Sequence, residues 1–190
     1  MNVRFSAASA ALFALVLLLP ASRATAQYFG QNRVQYETFQ FKTLETEHFV
    51  FHFYPEEEAA VRDAARMAER WYDRHTQVFL HSFKEKKPVI LYANDADFQQ
   101  TNVAQRQPSQ GTGGLTEPLR ERVVMPLSTS YGETDHVLGH ELVHSFQFDL
   151  ALNAKETQIR LGNLPLWLVE GMAEYLSVGR RSTHTAMWMR

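Results

Sequence analysis

From Val61 the apolar positions recur at 61, 64, 65, 68, 71, 72, 78 and 79, with His75 on the same side. That spacing is a helical stripe held for about five turns, and it predicts a long helix over 56–82. Pro55 precedes it, and three glutamates open it where a helix dipole favours acids. Trp71 and Tyr72 belong to this stripe and are expected in the core, with His75 at the core edge. A different period governs 48–54 (HFVFHFY), where Phe49, Phe51 and Phe53 alternate with His and Val. Period two with aromatics predicts a strand, leaving His48 and His52 on its outer face as ordinary surface. Further strands are expected at 39–43, 88–93 (PVILYA) and 121–127, where Pro126 suits a sheet edge. A short helix or loop starts at Asn94-Asp95, and the Gly-rich stretch 101–117 reads as irregular loop. Helices are expected again at 135–150 and, after Pro165, at 166–177, where Leu166, Val169, Ala173 and Leu176 would share an apolar face. Strands and a long helix first, then two helices together, predict an α+β domain.

The first residues follow another logic. Met1 to Arg4 carries one positive charge, Ala10 to Leu19 is an apolar run, and Ala24-Thr25-Ala26 has the pattern of a cleavage site. Residues 1–26 therefore read as a secretory signal peptide cleaved after Ala26, which implies an exported, periplasmic or extracellular protein. The apolar run is too short to span a bilayer, and no other segment is apolar enough. The domain proper is then 27–190.

Without the leader, 17 basic and 21 acidic residues remain, a net charge of −4. No basic stripe is present, which argues against nucleic acid as a partner. The chain has no cysteine, so a metal would be held by His, Asp or Glu alone.

One motif carries chemistry. His140-Glu141-Leu142-Val143-His144 is HExxH inside a predicted helix. Residues four apart lie one above the other, so both imidazoles can reach one ion. Glu141 follows the first and is placed to take a proton from a metal-activated water. A third protein ligand is needed, with one position left open. Position 150 is Leu and position 147 is Gln, which excludes the arrangement with a third histidine six residues on. His136 is one turn earlier, about 5.4 Å along the axis, too far for the same ion. His184 lies in a polar tail and stays open as a candidate. Glu170 is the best candidate, because a carboxylate set among Leu166, Val169 and Ala173 needs a cationic partner. Glu174, four residues on, could accept a hydrogen bond from the outer nitrogen of a ligating histidine.

His140-Glu141-x-x-His144 followed by Trp167-Leu168-x-Glu170-Gly171-x-Ala173-Glu174-Tyr175 resembles the peptidase MA-like gluzincins. More narrowly, 27–190 resembles the N-terminal peptidase region of exported bacterial proteins that continue into a Tol-type β-propeller. The resemblance implies a zincin-like fold, with a small twisted mixed sheet, a long backing helix and an HExxH helix. It implies Zn2+ held by His140, His144 and Glu170, with Glu174 behind the ligands. It also implies a downstream Tyr or His that stabilises the oxyanion, for which Tyr131 and His184 are weak candidates, and the domain is expected to be incomplete at its C-terminus. The expected activity is hydrolysis of peptide bonds with Glu141 as general base; the alternative is an inactive, peptidase-like binding or scaffold domain. Peptides or proteins are the expected partners, an extended peptide being expected to add beside the strand at 121–127 against Val123 and Met125. The sequence specifies no oligomeric state.

Overall fold

A computed structural model describes residues 36–103, 108, 112–153 and 163–189. The expected signal peptide lies outside them.

Among the described residues five strands form one mixed sheet: β1 (Lys42–Glu45), β2 (Phe49–Phe53), β3 (Lys87–Tyr92), β4 (Leu115–Glu117) and β5 (Arg122–Pro126). Their order is β1-β2-β3-β5-β4; the three inner strands are parallel and the two outer ones antiparallel to their neighbours. Five α-helices accompany the sheet among the described residues: α1 (Glu58–Phe79), α2 (Asp95–Phe98), α3 (Tyr131–Asn153), α4 (Leu166–Ser177) and α5 (Thr183–Trp188). The chain is α+β, as its pattern predicts.

Alternation along the strands divides the core into two layers. Phe49, Phe51, Val89, Leu91, Val123 and Met125 point to one face and pack on α1 and α3. Tyr92, Val124 and Ile90 point to the other and meet Phe98 and Val103. The α1 stripe buries Val61, Ala64, Ala68, Trp71 and Tyr72 as predicted, whereas Val78 of the same stripe is half exposed. The helix stops at Leu80, whose left-handed backbone (φ 49°) caps it. His75 is deeper than the core edge: it is fully buried, and its Nε2 donates to the Gly139 carbonyl at 3.2 Å. Burial lowers its pKa to about 4, so the ring is neutral at physiological pH.

Helix α3 is enclosed on most sides. Leu138, Leu142, Val143 and Phe146 have no exposed surface. At Gly139 it lies directly on the Trp71 indole, and a Cβ there would come within 2.6 Å of the ring. The same indole donates through Nε1 to the Asp135 carbonyl (3.0 Å) and carboxylate (2.9 Å). Near its far end, buried Asp149 pairs with Lys87 of β3 and with His81, whose Nε2 is 2.5 Å from Asp149 Oδ2.

Three expectations need correction. Phe39 and Phe41 precede β1 rather than forming it; Phe39 stacks on Tyr54 at 5.0 Å and both rings meet Tyr92 edge-on. The stretch 101–117 is not wholly loop, because Leu115–Glu117 is the edge strand β4. Consequently β5 is an inner strand, and Val123 and Met125 are fully buried rather than groove-lining. Pro126 fits there because β4 reaches only as far as Val124, leaving its nitrogen side without a β4 partner.

Candidate metal centre

Both imidazoles of the HExxH segment project from α3 towards α4. His140 Nε2 and His144 Nε2 are 3.1 Å apart, and Glu170 Oε2 lies 3.3 Å from the first and 3.4 Å from the second. Three donor atoms thus form a nearly equilateral triangle. A tetrahedral zinc with ligands at about 2.0–2.1 Å sets those ligands about 3.3–3.4 Å apart. The triangle therefore has the size that three ligands of one such ion would need.

Charge in the site has the same sense. Burial alone would push the His144 imidazole down, yet the Glu170 hydrogen bond and the Glu141 and Glu170 charges outweigh it and raise it to about 9. Burial would push Glu170 up, and the two imidazoles instead hold it at about 2. The carboxylates of Glu141 and Glu170 thus turn negative charge on the imidazoles, a field that suits a cation.

Hydrogen bonds behind the donors fix which nitrogen faces forward. Gln147 Nε2 donates to the Val169 carbonyl at 3.2 Å, which leaves Gln147 Oε1 pointing at His144 Nδ1, 2.9 Å away. His144 Nδ1 therefore carries a proton, and once the ring is neutral, as a metal ligand must be, the lone pair is on Nε2. On the neighbouring ring, His140 Nδ1 lies 3.4 Å from Glu174 Oε1. Glu174 is buried, and its Oε2 also accepts from His136 Nε2 at 3.0 Å.

Glu141 points to the opposite wall and is 5% exposed. The Thr116 hydroxyl of β4 lies 2.7 Å from Glu141 Oε2 and 3.0 Å from its carbonyl. Gly114 lets the strand approach so closely, since a Cβ there would sit 2.9 Å from Glu141 Cγ. The rim of the cleft is thus 112–116, not β5. The cleft encloses about 970 Å³ between this rim and the α4–α5 layer. Phe148, Leu164, Leu166 and Val169 make its apolar end, and His184 lines it near Glu174.

The structure brings together His140, His144 and Glu170, sets Glu174 behind His140, and places Glu141 in the same cleft. His136 takes no part in the triangle. Tyr131 is 61% exposed and does not line the cleft. Leu166, expected on the packed face of α4, is 63% exposed; the buried positions are Gly171, Ala173 and Glu174. Sequence reasoning missed Thr116, for which no local signal exists. It also missed Gln147, whose spacing of three from His144 places it on the same helix face.

Residues 120–190 match a family described as BSP, peptidase of plants and bacteria. The domain is peptidase-like. The matched stretch of this peptidase-like domain covers a little over a third of the chain. It contains β5, the three helices after it and all three corners of the triangle. No curated protein and no solved structure matches the chain.

Proposed function

We propose that the chain is a zinc-dependent peptidase of the gluzincin type with a zincin-like fold. His140, His144 and Glu170 would hold the ion. The observation that carries this reading is the donor triangle with sides of 3.1, 3.3 and 3.4 Å. The set of two nitrogens and one carboxylate oxygen suits a catalytic zinc with an open position.

When bound, the ion supplies Lewis acidity, acidifying a water and polarising the scissile carbonyl. The chain supplies the rest. Glu141 accepts the proton of the attacking water and passes it to the departing amine. Thr116 holds one Glu141 oxygen, leaving the other to face the reacting atoms. Gln147 and Glu174 keep the His144 and His140 rings in place. Edge strand β4 offers unpaired backbone groups along which an extended peptide would align. No covalent acyl intermediate is formed.

The test is zinc content together with hydrolysis of a mixed peptide library. One tightly bound zinc and cleavage that chelation abolishes is the expected result. Zinc without cleavage would point instead to an inactive scaffold domain, and absence of zinc from His140, His144 and Glu170 would overturn the assignment. Export by the leader at 1–26 is part of the same proposal, checked by the N-terminus of the secreted protein.

A further inference from the structure

Imidazoles and carboxylates alternate in a ladder across the α3–α4 contact. Helix α3 carries His136, His140 and His144, and α4 carries Glu170 and Glu174, each set spaced by four residues. Residues four apart share a helix face, so the two columns meet rung by rung. Glu170 Oε2 stands 3.4 Å from His144 Nε2 and 3.3 Å from His140 Nε2. Glu174 continues the series: its Oε1 faces His140 Nδ1 at 3.4 Å, and its Oε2 meets His136 Nε2 at 3.0 Å. His184 Nδ1 also approaches Oε1, but at 3.8 Å it is beyond hydrogen-bond distance. The shortest of the three contacts to Glu174 is therefore the one made by His136, a residue outside the donor triangle.

We propose that His136 is a positioning residue for the metal centre: it anchors Glu174 and, through Glu174, holds the His140 ring with Nε2 towards the ion. A carboxylate only accepts hydrogen bonds, so His136 Nε2 and His140 Nδ1 are both donors. With its proton on Nδ1, a neutral His140 has its lone pair on Nε2, the atom that belongs to the triangle. The last torsion of a glutamate is broad, so a carboxylate held by one oxygen alone would swing. His136 fixes one oxygen and thereby aims the other. Glu174 is only 7% exposed, so losing this partner would leave its charge buried with weaker contacts. Two successive turns of α3 thus grip both oxygens of one α4 carboxylate, and the grip is next to a corner of the triangle. This role rests on the zinc reading of the triangle given above.

The experiment is zinc affinity, measured on metal-stripped, untagged protein by competition with a chromophoric chelator. His136→Leu removes the donor, and His136→Asn keeps a polar side chain too short to reach Glu174. Both should bind zinc about tenfold more weakly, the lower end of the usual loss for a partner behind a metal ligand. His136→Gln keeps an N–H donor at a reach close to that of Nε2 and should restore most of the affinity. Glu174→Ala should weaken binding by itself, and adding His136→Leu to it should change nothing more, because the anchor then has nothing to hold. Affinity at the wild-type level in both His136→Leu and His136→Asn would overturn the role and leave the triangle standing. So would a loss that adds in full to that of Glu174→Ala, since that marks a merely structural histidine. A wild type that takes up no zinc would overturn the triangle as a metal centre and this role with it, so the two failures are distinguishable.

Discussion

Gln147 determines which face of the His144 ring is basic. Its amide is turned by the Val169 carbonyl, so an oxygen meets His144 Nδ1 and the lone pair is left on Nε2. One hydrogen bond to α4 thus sets the chemistry of a histidine on α3. Replacing it with Gln147→Leu keeps the volume and removes the acceptor. Zinc affinity should then fall by about 10–100-fold, the usual effect of losing a partner behind a metal ligand. Competition with a chromophoric chelator measures this; an unchanged affinity would count against the role.

Glu141 and His144 should separate two kinds of loss. Glu141→Gln is expected to lower kcat by about 10²–10⁴-fold, the usual contribution of general acid–base catalysis, while keeping zinc. His144→Ala should lose zinc and activity together. Parallel metal analysis and peptide kinetics distinguish them.

The contact between β4 and Glu141 gives a milder test. Thr116→Val removes the hydroxyl bound to the carboxylate. At a net value of about 1 kcal/mol for one such hydrogen bond, kcat should drop about fivefold with zinc content unchanged. Gly114→Ala should do more, since its Cβ would press on Glu141 at 2.9–3.1 Å. A normal kcat in both variants would mean that the rim does not position the base.

His75 should make the domain sensitive to acid. Its folded pKa of about 4 lies below the unfolded value of 6.5. The unfolded chain therefore binds more protons between these limits, and stability falls as pH drops through that window. This group's contribution is fully present above pH 6.5, and about 3 kcal/mol of it is lost by pH 4. His75→Gln cannot titrate, so its urea stability should vary less between pH 6.5 and 4 than that of wild type. Equal slopes would refute the assignment.

Chelation should lower the melting temperature as well as the activity. An ion present at a hundred times its dissociation constant stabilises by about 2.7 kcal/mol, provided the unfolded chain does not bind it. Thermal scans with and without chelator should differ for wild type and coincide for His144→Ala.

Much of this was legible in the residues. His140 and His144 are four apart, and helix geometry alone puts their rings side by side. Glu170 stands out because a charge among apolar neighbours asks for a partner. Phe49, Phe51 and Phe53 announce their strand by period. The failures have physical causes. Leu115–Glu117 is too short to show a period; it is a strand because β5 pairs with it. Phe39 and Phe41 alternate like a strand, but their rings are gathered by Tyr54 and Tyr92. On α4 the apolar count included Leu166, which is exposed; Ala173 of the same predicted face is buried, together with Gly171 and Glu174. Small residues and a shared carboxylate, rather than apolar bulk, orient that helix.

The bare backbone at Gly139 has a consequence for how the motif is aligned. Sliding α3 by one residue would bring Leu138 or His140 onto the indole of Trp71, where even a methyl group collides. It would also turn both imidazoles by about 100° away from Glu170. The glycine therefore acts as an index mark on the back of the helix: only one register lets the two helices touch, and in that register the front is aimed correctly.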